Sequence, residues 1–97
     1  MYDYTGWIVR ATAGRDKDGL FCVVGVDWEQ ERLLLADGKR RRVERPKAKK
    51  LGHVETLTDD QHRYEHPVIR NLEAGRAPTN KELRRMLAAF RAELRRD

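Results

Sequence analysis

The stretch GWIVRATAGRDKDGLFCVVGV, residues 6–26, decides how the chain is read. Its first part, Gly6–Ala11, is short and rich in β-branched and aromatic residues, which predicts a strand. Ala13–Gly19 holds two glycines among alternating charges, which predicts a loop. Leu20–Val26 predicts a second strand, and its apolar side chains fall on both alternating faces: Phe21 and Val23 on one, Cys22, Val24 and Val26 on the other. A strand that is apolar on both sides needs a cover on each.

Working outward from that segment, Glu31–Ala36 and Lys39–Val43 flank Asp37 and Gly38, a pair that tolerates positive φ and predicts a type I′ hairpin. Pro46–Gly52 reads as an extended connection and His53–Leu57 as a brief last strand. Five short strands in under sixty residues predict a small β-barrel. Beyond Thr58 the apolar period changes. Val68, Ile69 and Leu72 make a short helical face that starts near Pro67 and stops at Gly75. Thr79 and Glu82 have capping-box spacing, and Leu83, Met86, Leu87, Phe90 and Leu94 recur on one side of a second helix. That stripe is the natural cover for the outer face of the second strand. The fold expected is therefore mainly β: a barrel over residues 1–58, with residues 59–97 as a helical extension packed on it in one folding unit.

The 97 residues allow one compact core and carry 21 Lys and Arg against 16 Asp and Glu, a formal charge of +5. The charge is unevenly spread. Residues 31–52 hold nine basic and three acidic side chains, and residues 79–97 hold six and three. Between and before these blocks the chain is mildly acidic, so two basic faces are available to a polyanion. The single cysteine, Cys22, excludes a disulfide framework and is expected to be a buried, reduced thiol. No stretch approaches the roughly 20 apolar residues of a membrane span, and Met1, Tyr2, Asp3 and Tyr4 do not look like the start of a signal peptide. A cytoplasmic protein with no membrane partner is the expectation.

The segment Gly6 to Lys17, a strand followed by a Gly-containing basic loop, resembles a KOW motif. The resemblance continues through Phe21 to Gly25, Ala36 to Lys39 and Pro46 to Lys50, and weakly into Thr79 to Arg84 at the start of the last helix. This fuller pattern is similar to bacterial KOW-domain RNA-binding proteins related to the L14e-type large-subunit ribosomal proteins. The resemblance implies an SH3-like barrel that contacts RNA through its loops, with ribosomal RNA or the ribosome as partner. One departure stands out: Asp18 follows the motif lysine where the family usually has Gly, and Gly19 is displaced by one.

Proteins grip RNA by setting Lys and Arg against phosphates. Residues 39–50 concentrate eight cations in twelve positions, of which Lys39, Arg40, Arg42, Arg45, Lys47, Lys49 and Lys50 are candidate RNA contacts. In the expected strand Arg40 and Arg42 project together, away from Val43. The alternative is a solvated charged edge that discourages strand pairing. Gly14, Arg15 and Lys17 add a loop where backbone and charge can approach a phosphate, though such a loop is also an ordinary turn. Trp7 is a candidate for stacking on an unpaired base, or packs at the edge of the core; Trp28 sits among acidic neighbours. Arg84, Arg91 and Arg95 lie within about 40° on the last helix. They form a possible second RNA face, or keep the helix soluble and complement its dipole.

Other chemistry is not signalled. His53, His62 and His66 with Cys22 lack the ligand spacing of a zinc site, and no phosphate loop, nucleophile elbow or carboxylate pair can be picked out. No metal, cofactor, small-molecule substrate or homo-oligomer is indicated, and an enzyme is not expected. Beside RNA binding stand two alternatives: an SH3-like protein-interaction module whose basic arm meets an acidic partner, and nonspecific DNA binding by the same cations.

Overall fold

A computed structural model describes residues 1–96. Five strands, β1 (Ile8–Ala11), β2 (Leu20–Asp27), β3 (Arg32–Ala36), β4 (Lys47–Lys49) and β5 (Val54–Thr56), form one antiparallel sheet in the order β4-β3-β2-β1-β5. A 3-10 turn, Leu51–His53, joins β4 to β5, and two helices follow, α1 (Pro67–Glu73) and α2 (Asn80–Leu94). The protein is thus mainly β with two C-terminal helices. The sheet is open: β4 and β5 are its edges and, among the described residues, do not pair. With three residues each, they have little length with which to close a ladder.

The double-sided apolar pattern of β2 is satisfied by two clusters. Leu20 and Cys22, with Ile8 of β1 and Ala36 of β3, pack beneath Val68, Ile69 and Leu72 of α1 and Leu83, Met86, Leu87 and Phe90 of α2. Phe21 and Val23 face the other way and join Val9, Leu33, Leu35 and Val54, drawn from β1, β3 and β5. Each large apolar side chain buried in this way contributes about 1.5–3 kcal/mol. A bulge between Val23 and Gly25 shifts the register of β2 against β3, so Val26 packs with the Phe21 cluster and not, as simple alternation predicts, with Cys22 and Val24. Leu94, the last member of the predicted stripe, is 55% exposed and stands outside the buried cluster that the rest of the stripe joins.

The predicted starts of both helices are realised by side-chain caps. His66 accepts from the Val68 amide at 3.1 Å, with Pro67 in the first turn of α1. In α2, Thr79 accepts from the Glu82 amide at 3.1 Å while Glu82 accepts from the Thr79 amide at 2.8 Å.

The expected hairpin around Asp37 and Gly38 does not form. Residues 39–43 are not a strand, and the chain that returns to pair with β3 is β4, inside the segment read as a connection. A type I′ turn needs positive φ at both central residues, and only Gly38 has it, at 80°. The Asp37 carboxylate instead accepts from the Lys39 and Arg41 amides, each at 2.9 Å, which curls the chain into a wide loop. The first turn of α2 presses on that loop. A Cβ on Gly38 would lie 2.2 Å from the Asn80 carbonyl oxygen, so the site demands glycine for closeness as well as for φ.

Candidate nucleic-acid interface

The Gly14 loop is knit by its own backbone. Lys17 N–H donates to the Gly14 carbonyl, Gly19 N–H to the Asp16 carbonyl and Asp18 N–H to the Ala11 carbonyl. Asp18 adopts φ 71°, a left-handed conformation that Asp tolerates better than most residues. Gly19 is required for space instead: a Cβ there would come within 2.8 Å of the Phe21 ring and 2.9 Å of the Asp16 carbonyl oxygen. The displaced glycine is therefore accommodated by dividing two demands between neighbouring residues. The Asp18 carboxylate meets Arg10 at 2.8 Å, and Arg10 also reaches Glu55 across the β1–β5 ladder.

Asp16 ties this loop to the basic arm. Its side chain is only 2% exposed, and Arg41 donates to it through Nε and Nη2, the shortest bond being 2.9 Å, with Arg40 at 3.9 Å. Burial alone would push the Asp16 carboxyl up. The Arg41 hydrogen bonds and charge, with the charges of Lys49 and Arg40, outweigh burial and hold it below the usual aspartate value. From the other side, α2 fixes the same arm. Asn80 accepts from the Val43 amide at 2.8 Å and donates to Glu44 at 2.7 Å, while Arg84 donates to the Gly38 carbonyl at 2.7 Å.

Two concave basic surfaces result. The first, of about 500 Å³, lies between the Gly14 loop and β4 and takes in Arg15, Lys47, Lys49 and Lys50. The second, of about 620 Å³, takes in Arg40, Arg42, Arg45 and Lys47. Arg32, Arg41, Lys47 and Ala48 line both, so the two surfaces adjoin across the β3–β4 edge as one basic groove region. Most of the candidate cations thus converge, although the strand assumed for Arg40 and Arg42 is absent. Their side chains are 63% and 60% exposed, and Arg42 is paired with Glu44 at 3.4 Å.

The remaining candidates lie elsewhere. Lys17 is exposed on the loop and lines neither surface. Lys39 turns to a separate recess of about 280 Å³ with Arg84 and Arg91, while Arg95 forms the C-cap of α2. Trp7 is partly buried, edge-on to Tyr4 with ring centres 4.7 Å apart, and its indole N–H is enclosed without a protein partner among the described residues. Trp28 is the exposed one, at 55%.

Sequence reasoning passed over Arg32, Arg41 and Asp16. The alternation of β3, with Leu33 and Leu35 buried, was the available signal for Arg32 on the opposite face. A lone carboxylate inside a basic loop was the signal for Asp16 and an arginine partner. The Cys22 thiol is fully buried and pushed up to about 12 by that burial, which makes it a packing group and not a nucleophile. No group of three or more His, Cys, Asp or Glu side chains among the described residues could hold a metal. No helix among them is long and apolar enough to cross a membrane. No protein-family model matches the chain, and no curated protein matches it.

Proposed function

We propose that this protein is an RNA-binding module of the KOW type with an SH3-like strand arrangement, acting on ribosomal RNA in the cytoplasm and not as an enzyme. The observation that carries the reading is the pair of adjoining basic surfaces beside the buried Asp16 carboxylate, where separate chain segments bring cations together on one edge of the sheet. Cations gathered on one surface suit a phosphate backbone, because each phosphate contact releases condensed counterions. The strand order β4-β3-β2-β1-β5, with a 3-10 turn before β5, supports the SH3-like part. The likeness of Gly6–Lys17 to a KOW motif supports the family, and the ribosomal partner rests on that likeness.

A second reading, a protein-interaction module, is favoured by one surface. Tyr2, Tyr4 and Trp7 border a shallow hollow of about 450 Å³ beside Asp59 and Asp60, an aromatic and acidic setting that suits a peptide better than a phosphate backbone. Sedimentation of cell lysate through sucrose with and without RNase separates the two. RNA binding predicts co-sedimentation with ribosomal particles that RNase abolishes; complexes that survive complete digestion would put the protein-interaction reading first.

A further inference from the structure

Lys49 differs from every other cation of the groove. Its residue is only 7% exposed, whereas Lys47 and Lys50 on either side are exposed. It sits opposite Leu33 in the β3–β4 ladder, and its ammonium lines the recess beneath Gly14. Among the described residues that ammonium has neither a carboxylate partner nor a hydrogen bond, although Asp16 lies within reach of its charge. A long lysine commonly buries its stem and shows its head to solvent, and Lys49 does so inside the recess, its stem buried and its unpaired ammonium open to the recess. An ammonium placed by a buried stem and bonded to no carboxylate is available to a counter-charge from outside.

The local charge balance has the matching sign. Arg41, Lys49 and Arg40 all act on the one buried carboxylate, three cations against one anion, and leave a surplus of two positive charges. Arg41 is committed to Asp16 by its hydrogen bonds, and Lys49 is not. Gly14 leaves the ammonium open on that side: a Cβ added there would stand 3.4 Å from Lys49 Nζ.

We propose that the recess between the Gly14 loop and β4 seats a single phosphodiester group of the bound RNA, with the Lys49 ammonium as its inner contact. The proposal rests on the RNA-binding reading and adds a defined subsite within a groove otherwise made of exposed, interchangeable cations. Asp16 and Arg41 hold the walls, and Lys49 supplies the free charge.

Two measurements on the full-length protein test it. In the first, inorganic phosphate is titrated into isotopically labelled protein at constant ionic strength. Saturable shifts of the Gly14, Arg15 and Lys49 amides are expected, larger than those at Lys39 and Arg91. In the second, Lys49→Met and Lys49→Arg are compared with wild type for binding a single-stranded RNA oligonucleotide across a salt series. Lys49→Met should bind about tenfold more weakly, the size of one charge-assisted hydrogen bond. Its slope of log affinity against log salt should be shallower by about 0.7. Lys49→Arg should recover most of the slope. Unmoved Gly14 and Lys49 amides in phosphate overturn the subsite even if Lys49→Met fails to fold. RNA binding with an unchanged slope in folded Lys49→Met overturns it while the RNA reading stands. Phosphate shifts at Gly14 and Lys49 without any RNA binding keep the anion seat and overturn the RNA reading.

Discussion

The two basic blocks of this chain look alike in composition and behave differently in space. Residues 31–52 fold into a groove in which exposed cations surround a buried carboxylate, and the scaffold beneath them is made by Asp16, Arg41 and the β3–β4 ladder. Residues 79–97 form a helix whose buried side covers the sheet and whose Arg84 is bound to the Gly38 carbonyl. In the first block most cations are available to a ligand; in the second the best-placed one is already holding the first block in shape. Charge density therefore marks where a polyanion could bind, while the hydrogen-bond partners of each cation decide which ones are free to do so.

That contrast can be broken in graded steps. Phe90→Ala removes a buried ring shared by α2 and Tyr64 and should cost about 3–5 kcal/mol in urea unfolding. Wild-type stability in this variant would show that α2 is an ornament on the sheet and not a support for the groove. Asp16→Asn comes next. It leaves Arg41 without its counter-charge and should cost about 3 kcal/mol. RNA affinity should fall as well, since the loop and the arm lose their tie.

The same variant has a pH signature. Because the folded Asp16 pKa is depressed, its stabilisation is fully present above the unfolded aspartate value of about 3.9 and is lost as pH falls through the lower folded value. Unfolding measured between pH 5 and pH 2 should fall less steeply in Asp16→Asn than in wild type. Parallel curves would mean that Asp16 is not the ionised partner of Arg41.

Arg84→Ala sharpens the comparison from the helix side. Loss of one charge-assisted bond at a partly exposed site should cost about 1 kcal/mol. The salt slope of RNA binding should hardly change. A slope as shallow as that of a groove variant would instead make Arg84 a direct phosphate contact. The smallest effect on stability belongs to Arg40→Ala combined with Arg42→Ala, within about 0.5 kcal/mol, since both side chains are well exposed. RNA binding should nonetheless weaken by similar factors on different sequences, and the salt slope should be shallower by about 1.4 on single-stranded RNA. An unchanged slope in this folded variant would remove the arm from the RNA surface.

Much of the architecture was legible because it depends on neighbours in sequence. The two-sided apolar pattern of Leu20–Val26 required covers on both faces, and the clusters around Cys22 and Phe21 supply them. The capping box of Thr79 and Glu82 and the spacing of Leu83, Met86, Leu87 and Phe90 specified α2 and its buried side, because both are set by a 3.6-residue period. The convergence of Arg40, Arg42, Arg45 and Lys47 was also readable from charge density. The strand alternation expected to align Arg40 and Arg42 is absent, because residues 39–43 lie in the loop held by Asp37.

The tertiary structure alone decided the course of residues 37–46 and the allotment of the cations. Asp37 and Gly38 have the composition of a tight hairpin, but the carbonyl of Asn80 and the guanidinium of Arg84, more than forty positions along the chain, meet Gly38 and favour a wide loop. Likewise nothing local distinguishes Arg41 from Arg40 or Arg42. Only the buried carboxylate of Asp16 does so, because a desolvated charge selects the one partner that can reach it with two hydrogen bonds. Periodicity and capping act within a few residues and are written in the sequence. Pairing of buried charges, and the closeness of one backbone to another, depend on where distant segments meet in the folded chain.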